Sequence, residues 1–219
     1  MPIPEQELRS YYTARAPEYD LVYLKPERQS DLREIERWLP PHFAGATMLE
    51  VACGTGYWTQ FIAQSAAHVV AIDASPETMR VAEHRVPKDK VQVLVGDAYN
   101  LPQHLGKFSA AFAGFWFSHV PMAKRKTFLQ GLNALLMPGS SVILLDNRYV
   151  EGNSSPITGT DSDNNTYQTR QLKDGSMHRI LKNFPSEPEL QSLLHGIGIS
   201  GVFSIWQYFW AFKYVATPR

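Results

Sequence analysis

Cysteine is nearly absent from this chain, since Cys53 is the only one among 219 residues. It cannot form an internal disulfide, and no Cys/His spacing indicates a metal site. Long apolar runs are also missing: no stretch is long enough to span a bilayer, and the amino terminus has no basic segment before an apolar one. These absences predict a cytoplasmic protein with no bound metal and no membrane association.

The chain also has no excess of positive or negative charge. The chain has 21 Lys and Arg against 21 Asp and Glu. The nearest thing to a basic run is Lys124-Arg125-Lys126, which is typical of a solvated helix face. The sequence therefore gives no indication of a nucleic-acid partner. Apolar residues make up 44% of the chain, enough for the core of one α/β domain.

Apolar runs alternate with segments of helical periodicity, which predicts βαβ units and a parallel sheet. Strands are expected at 47–52, 68–72, 91–95, 108–114 and 141–145, with two late strands at 202–206 and 209–215. Helices are expected at 5–16, 27–39, 57–66, 76–85, 122–136 and 187–196. Because only Gln207-Tyr208 separates the late strands, the last strand must run antiparallel to its neighbour.

Residues 147–184 interrupt the alternation of expected strands and helices. A polar segment, 152–166, precedes two expected strands at 167–172 and 176–181, which Lys173-Asp174-Gly175 joins as a hairpin turn. We expect one domain over 1–219, with a helical cap at 1–40 and this segment as an insertion. The insertion either forms a lid or wall of a substrate pocket or is a surface excursion without a role.

A glycine turn follows the first expected strand, in Glu50-Val51-Ala52-Cys53-Gly54-Thr55-Gly56. The two glycines allow a tight bend and close approach of a ligand to the backbone, at the sheet edge where open α/β sheets bind ligands. A dinucleotide site would have a third glycine where Thr59 stands. No basic residue in this turn favours a phosphate.

Acidic residues end the next two expected strands. Asp73 stands where a carboxylate can accept hydrogen bonds from both ribose hydroxyls, and it would serve a dinucleotide or another nucleoside cofactor equally well. Asp97, in Gly96-Asp97-Ala98, can accept a hydrogen bond from the exocyclic amine of adenine. Each acid could instead be a turn or capping residue, but three such features at successive strand ends indicate one adenosine site.

This arrangement resembles the class I S-adenosylmethionine-dependent methyltransferases, in particular the small-molecule branch with ubiquinone- and menaquinone-biosynthesis-type enzymes. The resemblance is good over 11–146 and weaker over the last two strands. It implies a Rossmann-like class I methyltransferase fold: an α/β domain whose seven-stranded, mostly parallel sheet has an antiparallel last strand and helices on both faces. It also implies S-adenosyl-L-methionine as cofactor and a small-molecule acceptor with an O, N or C nucleophile.

The resemblance further implies which residues bind the cofactor. They belong to the amino-terminal segment, the glycine turn, the two acidic turns and the wall after the fourth strand. In chain order they are Tyr11, Arg15, Tyr19, Glu50, Ala52, Gly54, Gly56, Trp58, Asp73, Ala74, Met79, Asp97, Ala98 and Phe115.

His119 is the candidate catalytic base, because it follows the fourth strand and can change protonation near neutral pH. It could equally be a packing or helix-start histidine. Candidates for binding the acceptor are Asp146 and Arg148 after the fifth strand, His178 in the hairpin and Trp116. Arg148 would suit a carboxylate or phosphate, or it forms a surface ion pair.

Two other functions stay open at this point. One is a protein that binds S-adenosylmethionine without catalysis, and the other is an NAD-dependent oxidoreductase. The oligomeric state, monomer or homodimer, does not follow from the sequence.

Overall fold

The protein is built on two β-sheets, and the computed structural model describes it over residues 4–217. Within that range the strands are β1 Thr47–Val51, β2 His68–Asp73, β3 Val91–Val95, β4 Phe108–Gly114, β5 Leu136–Asn147, β6 Ile157–Thr160, β7 Thr166–Gln171, β8 Met177–Leu181, β9 Gly198–Ile205 and β10 Phe209–Ala216. The α-helices are α1 Pro4–Arg15, α2 Gln29–Trp38, α3 Tyr57–Ile62, α4 Pro76–Arg85, α5 Arg125–Asn133 and α6 Glu187–Leu193.

The central sheet has seven strands in the order β3-β2-β1-β4-β5-β10-β9. Strands β1 to β5 pair in parallel, and β10 is antiparallel to both β5 and β9. Neighbouring residues of the middle strands point to opposite faces of the sheet. Helices cover both faces, and the side chains on each face are therefore buried. The predicted fold class, with its antiparallel last strand, is confirmed.

The boundary between α5 and β5 differs from the prediction. A helix over 122–136 and a strand from residue 141 were expected, but α5 ends at Asn133 and β5 already begins at Leu136. The strand therefore contains Pro138 and Gly139, which lie between the expected helix and the expected strand. The ladder with β4 shifts register between Phe108 and Ala110, and such an irregularity accommodates a proline that cannot donate a backbone hydrogen bond.

The insertion forms its own three-stranded antiparallel sheet in the order β6-β7-β8. The hairpin of β7 and β8 matches the predicted pair of strands, whereas β6 lies within a segment expected to be irregular. Helix α1 packs on β8, where Leu8 and Tyr11 contact Ile180. The amino-terminal helix and the insertion therefore meet above the carboxyl ends of the central strands.

Over residues 4–217, the helices lack the combination of length and hydropathy that crossing a bilayer requires.

Candidate functional site

The carboxyl ends of β1 to β4 open onto a cavity of about 450 Å³, here named the strand-end cavity. Its walls come from the loops after these strands and from the amino-terminal segment. The described residues that line it are Leu8, Tyr12, Tyr19, Ala52, Gly54, Asp73, Ala74, Ser75, Thr78, Val95, Gly96, Asp97, Ala98, Tyr99, Gly114, Phe115, Trp116 and His119.

Asp73 organises the two loops that form one wall of this cavity. Its Oδ2 accepts a hydrogen bond from the Gly54 amide at 2.9 Å, and its Oδ1 accepts one from the Ser75 amide at 2.9 Å. The Thr78 hydroxyl also donates to Oδ1, at 3.2 Å. Burial outweighs these hydrogen bonds and raises the pKa of Asp73 above its usual value. A carboxylate oxygen has two lone pairs, so acceptor capacity remains for a ligand.

Two non-glycine residues with left-handed backbone line the cavity. Ala52, after β1, has φ 57° and Phe115, after β4, has φ 58°. This conformation is uncommon for residues with a Cβ, and such strain concentrates at functional sites. The two positions turn the chain sharply as it leaves adjacent strands, which brings both loops to the same opening.

The two glycines of the turn have different neighbours. A Cβ on Gly54 would stand 3.1 Å from the Tyr19 ring and hydroxyl, so the missing side chain lets the amino-terminal segment close on the turn. A Cβ on Gly56 would meet Ala82 and Val86 of the neighbouring helical region. Cys53 lies between β1 and these glycines. It is buried, and burial raises the pKa of its thiol well above the usual value.

An ion pair fastens the amino-terminal segment to the glycine turn. The Thr55 hydroxyl donates to Oδ1 of Asp20 at 2.6 Å, and Arg85 of α4 pairs with the same carboxylate. Arg85 also donates to the Thr55 carbonyl at 3.0 Å. Because three elements share these contacts, Tyr19 is held over the cavity.

Asp97 and Val95 form the outer edge of the cavity. Asp97 is exposed, and its Oδ1 accepts a hydrogen bond from the Tyr99 amide at 2.9 Å, which shapes the turn after β3. Val95 is 60% exposed although it ends a central strand. Oδ2 of Asp97 has no hydrogen bond from the part of the chain that the structure describes. An exposed aliphatic side chain next to such an oxygen suits a flat ring that carries a hydrogen-bond donor on its edge.

The charge of this cavity is one-sided. Asp73 and Asp97 line it, and no lysine or arginine does so among the residues of 4–217 that the structure describes. The same part of the chain has no cluster of three His, Cys, Asp or Glu side chains able to hold a metal ion. The cavity therefore favours a neutral or cationic ligand over a phosphate.

A second cavity of about 170 Å³, here named the basic cavity, adjoins the first. Tyr12, Tyr19, Phe115 and His119 line both. The other described residues that line it are Tyr11, Arg15, Val22, Lys25, Arg28, Asn147, Asn153, Ser154, Ser155, Gln168, Arg170, Lys182 and Phe184. The insertion thus supplies part of its wall.

His119 lies in the partition between the cavities. Its Nδ1 is 2.7 Å from the Leu181 carbonyl and its Nε2 is 2.8 Å from the Tyr12 hydroxyl. The carbonyl can only accept, so Nδ1 carries the proton and Nε2 accepts from Tyr12. Burial, reinforced by the Lys182 ammonium, holds the pKa of His119 well below its usual value. The imidazole is therefore neutral, with Nε2 as its basic atom.

A buried ion pair lies behind this partition. The Lys182 ammonium is 2.8 Å from Oδ1 of Asp146 and donates to the Ser118 hydroxyl at 2.5 Å. Burial acts to raise the pKa of Asp146, but the Lys182 charge and the other charges and hydrogen bonds around the carboxylate together outweigh burial, so the pKa lies below its usual value. Asp146 is fully buried and lines neither cavity, so it supports the site from behind.

Comparison with known proteins identifies the family. Residues 48–139 match a family described as a methyltransferase domain. The ubiquinone biosynthesis O-methyltransferase of Xanthomonas axonopodis pv. citri is 30% identical over 193 residues, covering 86% of this chain and 75% of that protein. The chain belongs to the S-adenosylmethionine-dependent methyltransferases.

Other relatives of the methyltransferase match over different lengths. The demethylmenaquinone methyltransferase of Staphylococcus saprophyticus is 32% identical over 108 residues, which is 47% of this chain and only 45% of that protein. Among solved structures, the DhpI-SAH complex is 28% identical, with a TM-score of 0.81 over 98% of this chain and 97% of that one. The DhpI-SAM-HEP complex has a TM-score of 0.77 at the same identity, covering 95% of this chain and 96% of that one.

Some of the predicted cofactor residues of the methyltransferase lie together at the strand-end cavity and others do not. Those that line it are Tyr19, Ala52, Gly54, Asp73, Ala74, Asp97, Ala98 and Phe115. Tyr11 and Arg15 line the basic cavity instead. Glu50, Gly56, Trp58 and Met79 line neither: Trp58 and Met79 are buried in the core, and Met79 has its sulfur 3.7 Å from that of Cys53.

The predicted acceptor residues are more dispersed. Trp116 lines the strand-end cavity. Arg148 donates to the carbonyls of Trp206 and Gln207 at 2.7 and 3.2 Å and lines neither cavity. His178 is hydrogen-bonded to the Ser176 hydroxyl and packs against the Tyr11 ring, also outside both cavities.

Several residues of the two cavities were not among the sequence candidates. Arg170 and Gln168 are two residues apart on β7. Side chains alternate between the two faces of a strand, so the sequence could have shown that these two lie on one face of the hairpin. Tyr12 differs from the predicted Tyr11 by one position on a helix. Arg28 and Lys182 carry no local signal, because their partners lie far away in the sequence.

Proposed function

We propose that this chain transfers the methyl group of S-adenosylmethionine to a small-molecule acceptor with an O, N or C nucleophile. The observation that carries the proposal is the strand-end cavity: Asp73 and Asp97 line it, its described lining has no lysine or arginine, and its one histidine, His119, is neutral. A sulfonium is a cation, whereas the pyrophosphate of NAD requires donors or positive charge. The cavity therefore favours the sulfonium cofactor.

The residues present fit this cofactor. Oδ2 of Asp73 would accept a hydrogen bond from a ribose hydroxyl, and Asp97 would accept one from the adenine amine. Val95 and Ala98 would flank the adenine ring, and Gly54 with Tyr19 above it would border the methionine part. The cofactor supplies a methyl group on a sulfonium, whose sulfur keeps the electron pair of the broken carbon–sulfur bond.

The partition between the cavities would orient the acceptor and receive its proton. An acceptor in the basic cavity lies next to the strand-end cavity, so Phe115 and Tyr19 help to align it and exclude water. If the accepting atom is a hydroxyl or amine, Tyr12 takes its proton while the Tyr12 hydroxyl proton moves to Nε2 of His119. His119 then holds this proton as an imidazolium, which conserves the charge lost from the sulfonium; because burial and the Lys182 charge disfavour this form, the proton passes on to solvent when the product leaves.

The first test is calorimetric binding of S-adenosylmethionine to the wild type and to Asp73→Asn. Hydrogen bonds to a charged group contribute about 1.5–3 kcal/mol each, so the dissociation constant is expected to rise by about tenfold or more. Asp89→Asn removes an exposed carboxylate outside the cavity and should bind like the wild type. Equal affinity of all three proteins would exclude Asp73 from the site.

The second test is a screen of small metabolites with S-adenosylmethionine labelled in its methyl group. Transfer of label to an acceptor supports the enzyme. Tight cofactor binding without transfer across a broad panel would favour a non-catalytic binding protein, and binding of NADH in place of S-adenosylmethionine would favour an oxidoreductase. A cytoplasmic location and the lack of a nucleic-acid partner stay predictions.

A further inference from the structure

The basic cavity has a strong excess of positive charge. Arg15, Lys25, Arg28, Arg170 and Lys182 line it, and its described lining includes no aspartate or glutamate. Within the described part of the chain, Lys182 is the member of this set that forms an ion pair with a carboxylate, through Asp146. The other four cations form no ion pair with a carboxylate among the described residues, although the nearby charge of Glu27 acts on Lys25 and Arg28 from outside the lining.

Arg28 shows how unusual this arrangement is. It is only 6% exposed, and its guanidinium is hydrogen-bonded to neutral amide oxygens. Nη1 donates to Asn147 at 3.0 Å, while Nε and Nη2 donate to Asn153 at 3.0 and 2.5 Å. Burial lowers the pKa of Arg28, although the charges of Glu27 and Asp31 oppose this effect. A buried charge that has no direct ion pair is costly, so an anionic partner in the cavity would stabilise Arg28 here.

Arg170 contributes an unsatisfied donor. Its Nη2 donates to Oε1 of Gln168 at 2.7 Å. Its Nε is buried and has no hydrogen-bond partner among the described residues. Arginine presents a planar set of donors that matches the oxygens of a carboxylate or phosphate.

The cations also affect one another. Burial lowers the pKa of Lys25, and the charges of Arg28, Arg170 and Arg15 lower it further, against the opposing charge of Glu27. Burial likewise lowers the pKa of Lys182 although its partner Asp146 opposes this effect, and the charges of Arg170 and Arg28 lower it further. An anion bound among these groups would relieve both effects.

We propose that the basic cavity binds an oxyanion, a carboxylate or a phosphate-like group, that belongs to the methyl acceptor. The inference rests on the proposed function and narrows its substrate to anionic small molecules. Because Tyr12, Tyr19, Phe115 and His119 line both cavities, a molecule anchored by Arg28 and Arg170 reaches the boundary with the cofactor cavity. Cationic donor and anionic acceptor then occupy cavities of opposite charge.

The test is calorimetric titration of the full chain, saturated with S-adenosylhomocysteine, with inorganic phosphate, acetate and neutral acetamide. Phosphate, acetate or both should bind and acetamide should not. Phosphate binding alone identifies a phosphate-like group, and acetate binding alone identifies a carboxylate. Failure of both oxyanions to bind would overturn the inference.

Arg170→Gln should weaken oxyanion binding by about tenfold, the effect of losing charge-assisted hydrogen bonds. Lys88→Gln makes the same charge change at an exposed position outside the cavity and should leave binding within about twofold of the wild type, allowing for a weak long-range field. If Arg170→Gln fails to fold, as judged by circular dichroism, Lys25→Gln replaces it. Unchanged oxyanion affinity in the folded variant would overturn the site.

The same titrations separate this inference from the proposed function. Binding of S-adenosylhomocysteine without any oxyanion would overturn the inference and leave the methyltransferase activity standing. Absence of S-adenosylhomocysteine binding would overturn the proposed function, and with it the assignment of the oxyanion to a methyl acceptor.

Discussion

Glu50 is a buried acid whose proton is part of the folded state. It lies in β1, is 1% exposed, and its Oε2 has no hydrogen-bond partner among the described residues. Burial raises the pKa of Glu50 to about 8. At neutral pH the folded chain therefore retains a proton that the unfolded chain loses.

This predicts a pH-dependent stability that Glu50→Gln removes. The folded state binds the extra proton between the ordinary value of 4.5 and about 8, so the free energy of unfolding falls as the pH rises through that range. The contribution is at most about 1.4 kcal/mol per pH unit. Urea denaturation from pH 5 to 8 measures it, with the exposed Glu83→Gln as control. Parallel profiles for the wild type and Glu50→Gln would contradict the prediction.

At the scale of elements, buried contacts join the insertion to β5 and to the loop after β4. Lys182 pairs with Asp146, the Leu181 carbonyl accepts from His119, and the Asn183 amide donates to the Ser118 carbonyl at 2.8 Å. These contacts join the small sheet to the partition between the two cavities.

Lys182→Met is expected to destabilise the fold by about 3–5 kcal/mol, because it leaves the Asp146 carboxylate buried without its partner. Replacing both residues, as Lys182→Met with Asp146→Leu, should recover part of this loss. Chemical denaturation of the single and double variants gives the coupling. A single variant that unfolds at the wild-type denaturant concentration would show that the pair contributes nothing.

How much the sequence predicts depends on how local the deciding contacts are. The glycine turn and the acids at the ends of β2 and β3 were predictable, because each is a short motif next to an apolar strand. Strand β6 was not, since its residues are largely exposed and show no alternation. Arg28 was not predictable either, because its amide partners lie 119 and 125 residues away.

For the whole molecule, the formal net charge of zero hides a separation of charge. Acidic side chains line the strand-end cavity, and basic side chains line the basic cavity beside it. The separation means that ligands of opposite sign would attract each other across a shared wall.

Phosphate or acetate is therefore expected to bind several-fold more tightly to the chain loaded with S-adenosylmethionine than with S-adenosylhomocysteine. The two cofactor forms differ by the methyl group and the positive charge. Unit charges 4 Å apart interact by about 1 kcal/mol in water and about 4 kcal/mol at an effective dielectric constant of 20. Calorimetry in both orders of addition checks the effect, because the coupling must be reciprocal. Identical affinities would rule out electrostatic coupling.

The lone cysteine of the glycine turn gives this molecule a built-in reporter. Cys53 is 8% exposed, and only the thiolate form of a cysteine reacts with alkylating reagents. Because the thiol is buried, alkylation requires the turn to open. The labelling rate of the intact chain therefore measures how often that opening occurs. Since no second thiol competes, slower labelling on addition of a ligand would report occupancy of the neighbouring cavity without any assay of turnover.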